Sequence, residues 1–298
     1  MFVYDNIFKN DDEIRSFIEN AETNYKNQVL KIANDISNFD HIQFLTLAGP
    51  SCSGKTTTSY ILEHEFESRG MTVKIISIDD FYRDRSDISD DETPDYESIS
   101  AIDFAIFEDC VNKIKNGETA MLPVFDFKIG GRKGFVPYTP AENEIVIFEG
   151  IQAIYPEIIA TLPKEVSKSI YISVDDDVMA YGTHFKKREI RFYRRLVRDF
   201  LFRNASPSRT LELWDGVVKN EDLNIIPNAQ KADYIINSFL SYELGVIKPY
   251  LLNKVIFNRD IQEEMDLYQM ITAKFQNVPA IPANFVPIDS VFREFIGK

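Results

Sequence analysis

An α/β fold, with a parallel sheet covered by helices on both faces, is what the order of segments in this sequence predicts. Three observations carry that expectation. Short apolar, β-branched runs alternate with stretches of helical periodicity from residue 42 onward. The first run leads into a glycine-bearing turn and then a helix. Two later runs end directly in carboxylates, and an open parallel sheet binds its ligand beyond those strand ends.

Residues 1 to about 40 come first. Ile14, Phe17, Ile18, Tyr25, Val29, Ile32 and Ile36 recur at helical spacing among polar residues, which predicts an extension of one or two amphipathic helices. Strands are expected over Ile42 to Ala48, Thr72 to Ile78, Ile145 to Phe148, Ser169 to Val174 and Ala232 to Asn237. A helix is expected from about Thr56 to Arg69, with Gly70 as its C-terminal glycine. Further helical stretches are expected near 101–116, 178–203, 207–220 and 241–275. Residues 83–100, rich in Asp, Ser and Pro, and 124–143, carrying Gly130, Gly131 and Gly134, break the alternation and read as loops. The tail from Val278, with prolines at 279, 282 and 287, reads as irregular.

Composition narrows the function classes. Across 298 residues, 33 Lys and Arg stand against 47 Asp and Glu, a formal charge of −14. A body that acidic repels polyanions, so neither nucleic acid nor an anionic membrane is an expected partner. Two cysteines, Cys52 and Cys110, make no disulfide framework and fit a reducing compartment. The acidic N-terminus does not read as a signal or transit peptide, and the longest apolar run, Ile145 to Tyr155, is too short to span a bilayer. The expectation is a cytoplasmic protein with a small-molecule substrate; a homo-oligomer stays open.

Gly49-Pro50-Ser51-Cys52-Ser53-Gly54-Lys55-Thr56 fits G-x-x-x-x-G-K-[ST], between a strand and a helix. Gly49 and Gly54 allow the torsions that turn successive N–H groups around a phosphate, and the following helix adds the positive end of its dipole. Lys55 is expected to reach the β- and γ-phosphates and the Thr56 hydroxyl to ligate Mg²⁺. Ser51, Cys52, Ser53 and Thr57 complete the expected nucleotide contacts. Cys52 reads as a small tolerated residue, open to alkylation.

The second strand delivers Asp79 and Asp80, and the third delivers Glu149. Phosphoryl transfer to an alcohol needs a carboxylate for the hydroxyl proton and another to support the metal. Asp79 and Glu149 can divide those roles; helix capping is the other reading of Asp80. Residues 186 to 203 hold eight Lys or Arg against two acids. Arg191, Arg194, Arg195 and Arg198 recur along one helical face, as a lid that clamps phosphates would need. The strings N-K-x-D and D-x-x-G, which a GTPase switch requires, do not occur.

In order, GPSCSGKTTTS, IDDFYRDR, LPVFDFKIGGRKG, IVIFEGIQAIY and RRLVRD resemble the motifs of the uridine kinase and phosphoribulokinase family, most closely its bacterial uridine kinase-like nucleoside kinases. The resemblance runs from about 42 to 255 and includes KADYIINSFLSYELGVIKPY. It implies a P-loop NTPase-type kinase domain over 41–298, with a helical lid at about 178–210, C-terminal helices and tail over 241–298, and the helical extension 1–40. It implies transfer of the ATP γ-phosphate, with Mg²⁺, to a hydroxymethyl group of a sugar-bearing acceptor. Asp79 is then the base, Tyr82, Phe125, Asp126, Phe127 and Arg132 border the acceptor, and Arg191, Arg194, Arg195 and Arg198 belong to a mobile lid. Two departures stand out. Phe125 replaces a Tyr and Gly130 a His that help uridine-cytidine kinases read the nucleoside. Lys187-Arg188-Glu189-Ile190-Arg191 replaces the family's Asp-Thr-Arg run. A nucleoside such as uridine or cytidine is the leading acceptor. Another sugar or small alcohol, as in phosphoribulokinase or pantothenate kinase, and a non-catalytic nucleotide sensor are the alternatives.

Overall fold

A computed structural model describes residues 2–39, 41–88 and 96–298. Five strands form an all-parallel sheet: β2 (Phe44–Ala48), β3 (Thr72–Ser77), β6 (Glu144–Gly150), β7 (Ser167–Ser173) and β10 (Tyr234–Asn237). Their order across the sheet is β10-β7-β2-β6-β3. The central strand β2 is buried at every position because both faces are covered. Side chains alternate between two cores with the period of the pleat. Leu45, Leu47, Ile145, Ile147, Ile170 and Ile172 face one. Phe44, Ala48, Val146, Phe148 and Tyr171 face the other.

The first core is capped by α1 (Asp11–Ser37), α2 (Lys55–Glu67) and α4 (Lys187–Phe202), the second by α3 (Phe104–Lys115). Asn10 caps α1 by accepting the Glu13 N–H at 3.0 Å. The periodic residues of the N-terminal segment form one helix, whose Ile18, Tyr25, Val29, Ile32 and Ile36 are buried in the first core. Helix α5 (Pro207–Asn220) follows α4.

The structure corrects three expectations. Residues 124–143 are not a loop: β4 (Ala120–Asp126) and β5 (Gly131–Tyr138) pair as an antiparallel hairpin, and the glycines form its turn. Residues 178–186 are not helical. They form β8 (Val178–Ala180) and β9 (Thr183–Phe185), and β8 also pairs in parallel with an N-terminal strand, β1 (Phe2–Tyr4), which the sequence did not reveal. The stretch 241–275 breaks into α6 (Glu243–Pro249), a wide turn and α7 (Gln262–Phe275), since Pro249 cannot donate to the helical ladder. The tail is largely irregular as expected, yet Val291, Phe292 and Phe295 are buried in the first core. Of the loop expected over 83–100, residues 89–95 lie outside the described residues.

Strand register aligns the chemistry. Ala48 pairs with Gly150, and both Leu47 and Ser77 pair with Glu149. The ends of β2, β3 and β6 are therefore level, and the phosphate loop, Asp79 and Glu149 meet at one edge. No helix among the described residues is long and apolar enough to cross a membrane.

Candidate active site

The loop between β2 and α2 is shaped by close approach. A Cβ on Gly49 would stand 2.2 Å from the Ile172 carbonyl oxygen. Gly54 is left-handed at φ 94°, and a Cβ there would meet Val291 Cγ2 at 2.5 Å. Gly54 also stands at the N-cap of α2 and has no side chain to cap it, so the first N–H groups of that helix must find partners elsewhere. Lys55 Nζ reaches back to the Pro50 carbonyl at 3.4 Å. Ser53 is buried, Ser51 is half-buried and Thr56 is exposed. Cys52 takes φ 59°, and its side chain is buried in the first core. This overturns the expectation of an alkylation target. Tyr25 of α1 donates to Thr58 Oγ1 at 2.6 Å, and Thr58 donates to the Gly54 carbonyl at 2.6 Å, which ties α1 to the loop.

Asp79 begins the turn after β3, where its N–H donates to the Ser77 hydroxyl at 3.3 Å. Burial raises its carboxyl above the ordinary range, while Lys55 and the Tyr82 hydroxyl pull it back down. Burial likewise pushes the Glu149 carboxyl up to about 7, against Lys55, while Asp79 and Glu294 add repulsion. Two crowded acids facing one ammonium make a donor set suited to a divalent cation, and Thr56 adds a hydroxyl close by in the chain. Asp80 is turned away: it accepts the Phe125 N–H at 3.1 Å and so fastens β4 to this turn.

Beside Asp79 lies an aromatic cluster. Tyr82 meets Tyr96 at 5.1 Å, Phe125 at 5.6 Å and Phe127 at 6.1 Å, centroid to centroid. Phe125 and Phe127 meet at 5.1 Å. Phe127 is 60% exposed, so one wall of the cluster is open. The Tyr82 hydroxyl donates to Asp79 Oδ1 at 3.1 Å and accepts from Gln152 Nε2 at 3.0 Å. Gln152 Nε2 also donates to the Tyr96 carbonyl at 2.6 Å. Sequence reasoning missed Gln152 and Tyr96. A glutamine inside the apolar run of residues 145–155 was a usable signal for the first; the loop around Tyr96 offered none. Arg132 borders the cluster, but it pairs with Asp103 at 3.1 Å and so ties the hairpin to the cap of α3.

The four arginines of α4 expected to clamp phosphates separate into two kinds. Arg194 is fully buried, and all five of its donors are committed: to both carboxylate oxygens of Glu243, to the Ser238 hydroxyl and carbonyl, and to the Cys52 carbonyl. It has none to give a phosphate in this arrangement, contrary to its expected role. Arg191, 1% exposed, pairs with Glu221 and donates to the Ser51 carbonyl at 3.2 Å. Both brace the phosphate loop from behind. Arg195 donates to the Ser51 hydroxyl at 3.1 Å. It shares Asp199 with Arg198 and with Arg203, so three guanidinium groups meet one carboxylate and leave a surplus of positive charge.

The model of the phosphoribulokinase / uridine kinase family matches residues 44–243, which span these elements. A uridine kinase of Brevibacillus brevis is 29% identical over 194 residues, covering 64% of this chain and 82% of that protein. One from Chlamydia pneumoniae is 26% identical over 237 residues, covering 78% and 98%. A solved structure from Bacillus stearothermophilus, described as a possible uridine kinase, aligns at 15% identity and TM-score 0.48 over 71% of this chain and 98% of its own. With the family model matching well over half of its length, this chain belongs to the phosphoribulokinase / uridine kinase family.

Proposed function

We propose that this protein transfers the γ-phosphate of ATP to a hydroxymethyl group of a nucleoside, uridine or cytidine in the first place. The observation that carries the nucleoside reading is the aromatic cluster of Tyr82, Tyr96, Phe125 and Phe127 beside Asp79. Aromatic faces suit a planar base. A phosphorylated sugar would instead require free cations, and Arg132, the arginine expected to border the acceptor, is held by Asp103.

In this reading Lys55 and the backbone N–H groups of residues 51–56 hold the phosphates, and Arg195 and Arg198 face the charge that develops during transfer. Thr56 and Glu149 are suited to hold Mg²⁺, which when bound would offset the charge of the β- and γ-phosphates. Asp79 accepts the acceptor's hydroxyl proton as its oxygen bonds to the γ-phosphorus and the bond to the β-phosphate oxygen breaks. Tyr82, polarised by Gln152, keeps one Asp79 oxygen occupied and leaves the other for the acceptor.

ADP release with Mg·ATP, measured against uridine, cytidine, purine nucleosides, ribulose 5-phosphate and pantothenate, tests the proposal, with Lys55→Ala as the blank. Stimulation by a pyrimidine nucleoside is expected. Stimulation by ribulose 5-phosphate or pantothenate alone would move the acceptor to another class, and stimulation by none would leave a nucleotide sensor.

A further inference from the structure

The phosphate loop has a neighbour that its sequence gave no reason to expect. Glu294, near the end of the chain, accepts hydrogen bonds from Thr57 at the start of α2: from the hydroxyl at 3.1 Å and, at 3.5 Å, from the backbone N–H. Thr57 is the third residue of α2, so its N–H is one of the four that a helix start leaves unpaired. The same donors were expected to hold nucleotide. With Lys55 directed to the terminal phosphates and Thr56 to the metal, Thr57 falls to the phosphate nearest the nucleoside.

Glu294 is held there by its surroundings. The flanking Phe292 and Phe295 are fully buried, and the Phe295 ring lies 4.8 Å from the Arg194 guanidinium carbon. Arg293 donates to the carbonyls of Ala283, Val286, Pro287 and Gly297, which fixes the backbone of the tail. Val291 packs against Gly54 itself. The acid also lies close enough to Glu149 to add to its repulsion. A carboxylate and a phosphate cannot share one pair of donors, and at such separation their like charges repel strongly.

We propose that Glu294 is a residue of the nucleotide site, an internal anion that occupies the donors of the innermost phosphate and must swing away when nucleotide enters. The proposal rests on the nucleotide-binding reading above and is independent of which acceptor is used. Because the backbone is pinned, the movement is a side-chain rotation about Glu294, not release of the tail. Glu294 thereby sets nucleotide affinity through the phosphates and leaves the nucleoside moiety unaffected.

Calorimetric titration of ADP and of adenosine into the wild-type chain, Glu294→Gln and Glu294→Asp tests this. Gln removes the charge at constant shape, and Asp keeps the charge but shortens the reach to Thr57. Tightening of ADP by about tenfold or more in Glu294→Gln, a smaller tightening in Glu294→Asp and no change for adenosine are expected. Equal or weaker ADP binding in both variants, at an unchanged unfolding temperature, would overturn the proposal. Should Glu294→Gln fail to fold, Glu294→Asp decides by the same comparison. If neither the wild-type chain nor the variants bind ADP or ATP, the nucleotide reading itself falls, and this inference with it.

Discussion

Asp79 and Glu149 set the pH behaviour of the site. A buried acid with a raised native pKa favours the protonated form, so its contribution to stability is present below the unfolded value and lost as pH rises through the native one. For Glu149 that window runs from its ordinary 4.5 to about 7. The nucleotide-free protein should therefore lose melting temperature across that window, and Glu149→Gln should flatten the loss; a thermal denaturation series against pH reads it. Tyr82 acts in the other direction on Asp79, since its hydroxyl favours the carboxylate. Tyr82→Phe should move the acid limb of the kcat/KM profile to higher pH. Gln152→Leu should do so to a smaller degree, because the Tyr82 hydroxyl is then free to turn. A limb that stays in place in both variants would separate Tyr82 from the proposed base. Asp79→Asn should lower kcat by about 10²- to 10⁴-fold while ADP still binds. Asp79 and Glu149 could be named from their places after apolar strands, whereas their shifted pKa values depend on burial that no local pattern displays.

At the scale of elements, α4 differs most from its sequence reading. A row of arginines on a helix face looks the same whether carboxylates from elsewhere neutralise it or a ligand does. Here Glu221, just beyond α5, and Glu243, at the start of α6, supply the partners of Arg191 and Arg194. Removing one member of a buried pair leaves an uncompensated charge, so Arg194→Met should cost about 3–5 kcal/mol in urea unfolding. The double variant Arg194→Met with Glu243→Leu should recover most of that loss. If Arg194 served a phosphate instead, the double variant would regain stability but lose nucleotide affinity as fully as the single one. The β4–β5 hairpin shows the converse case. Its glycines are visible in the sequence, but β5 has no fully buried position and so shows no apolar alternation to mark it as a strand.

Across the whole molecule, the two ends of the chain converge on the phosphate loop. Helix α1 reaches it through Tyr25 and Thr58, and the tail through Val291 and Glu294. Buried Tyr242 joins both ends, bonding Glu22 of α1 and, at 2.9 Å, Ser290 of the tail. Ile32→Ala, which opens a cavity between α1 and the first core, should therefore destabilise the protein by about 2–5 kcal/mol and lower the stability of the nucleotide site with it. A parallel loss of melting temperature and of the stabilisation conferred by ADP is the expected result.

What the sequence determined by itself is whatever a contiguous stretch can encode. The phosphate loop lies within eight residues, each strand of the central sheet is a run long enough to show its pattern, and α1 displays its apolar stripe over 27 residues. Tertiary structure alone decided which charges meet. It buried Arg194 against Glu243, set Gln152 behind Tyr82, gave Tyr96 to the aromatic cluster and brought Glu294 across 237 residues to Thr57. It also decided the three-residue strands β1, β8 and β9, too short to carry a period. Local geometry follows from neighbours in the chain, while the partner of a buried charge is chosen by whichever distant carboxylate, carbonyl or hydroxyl the packed core leaves within reach.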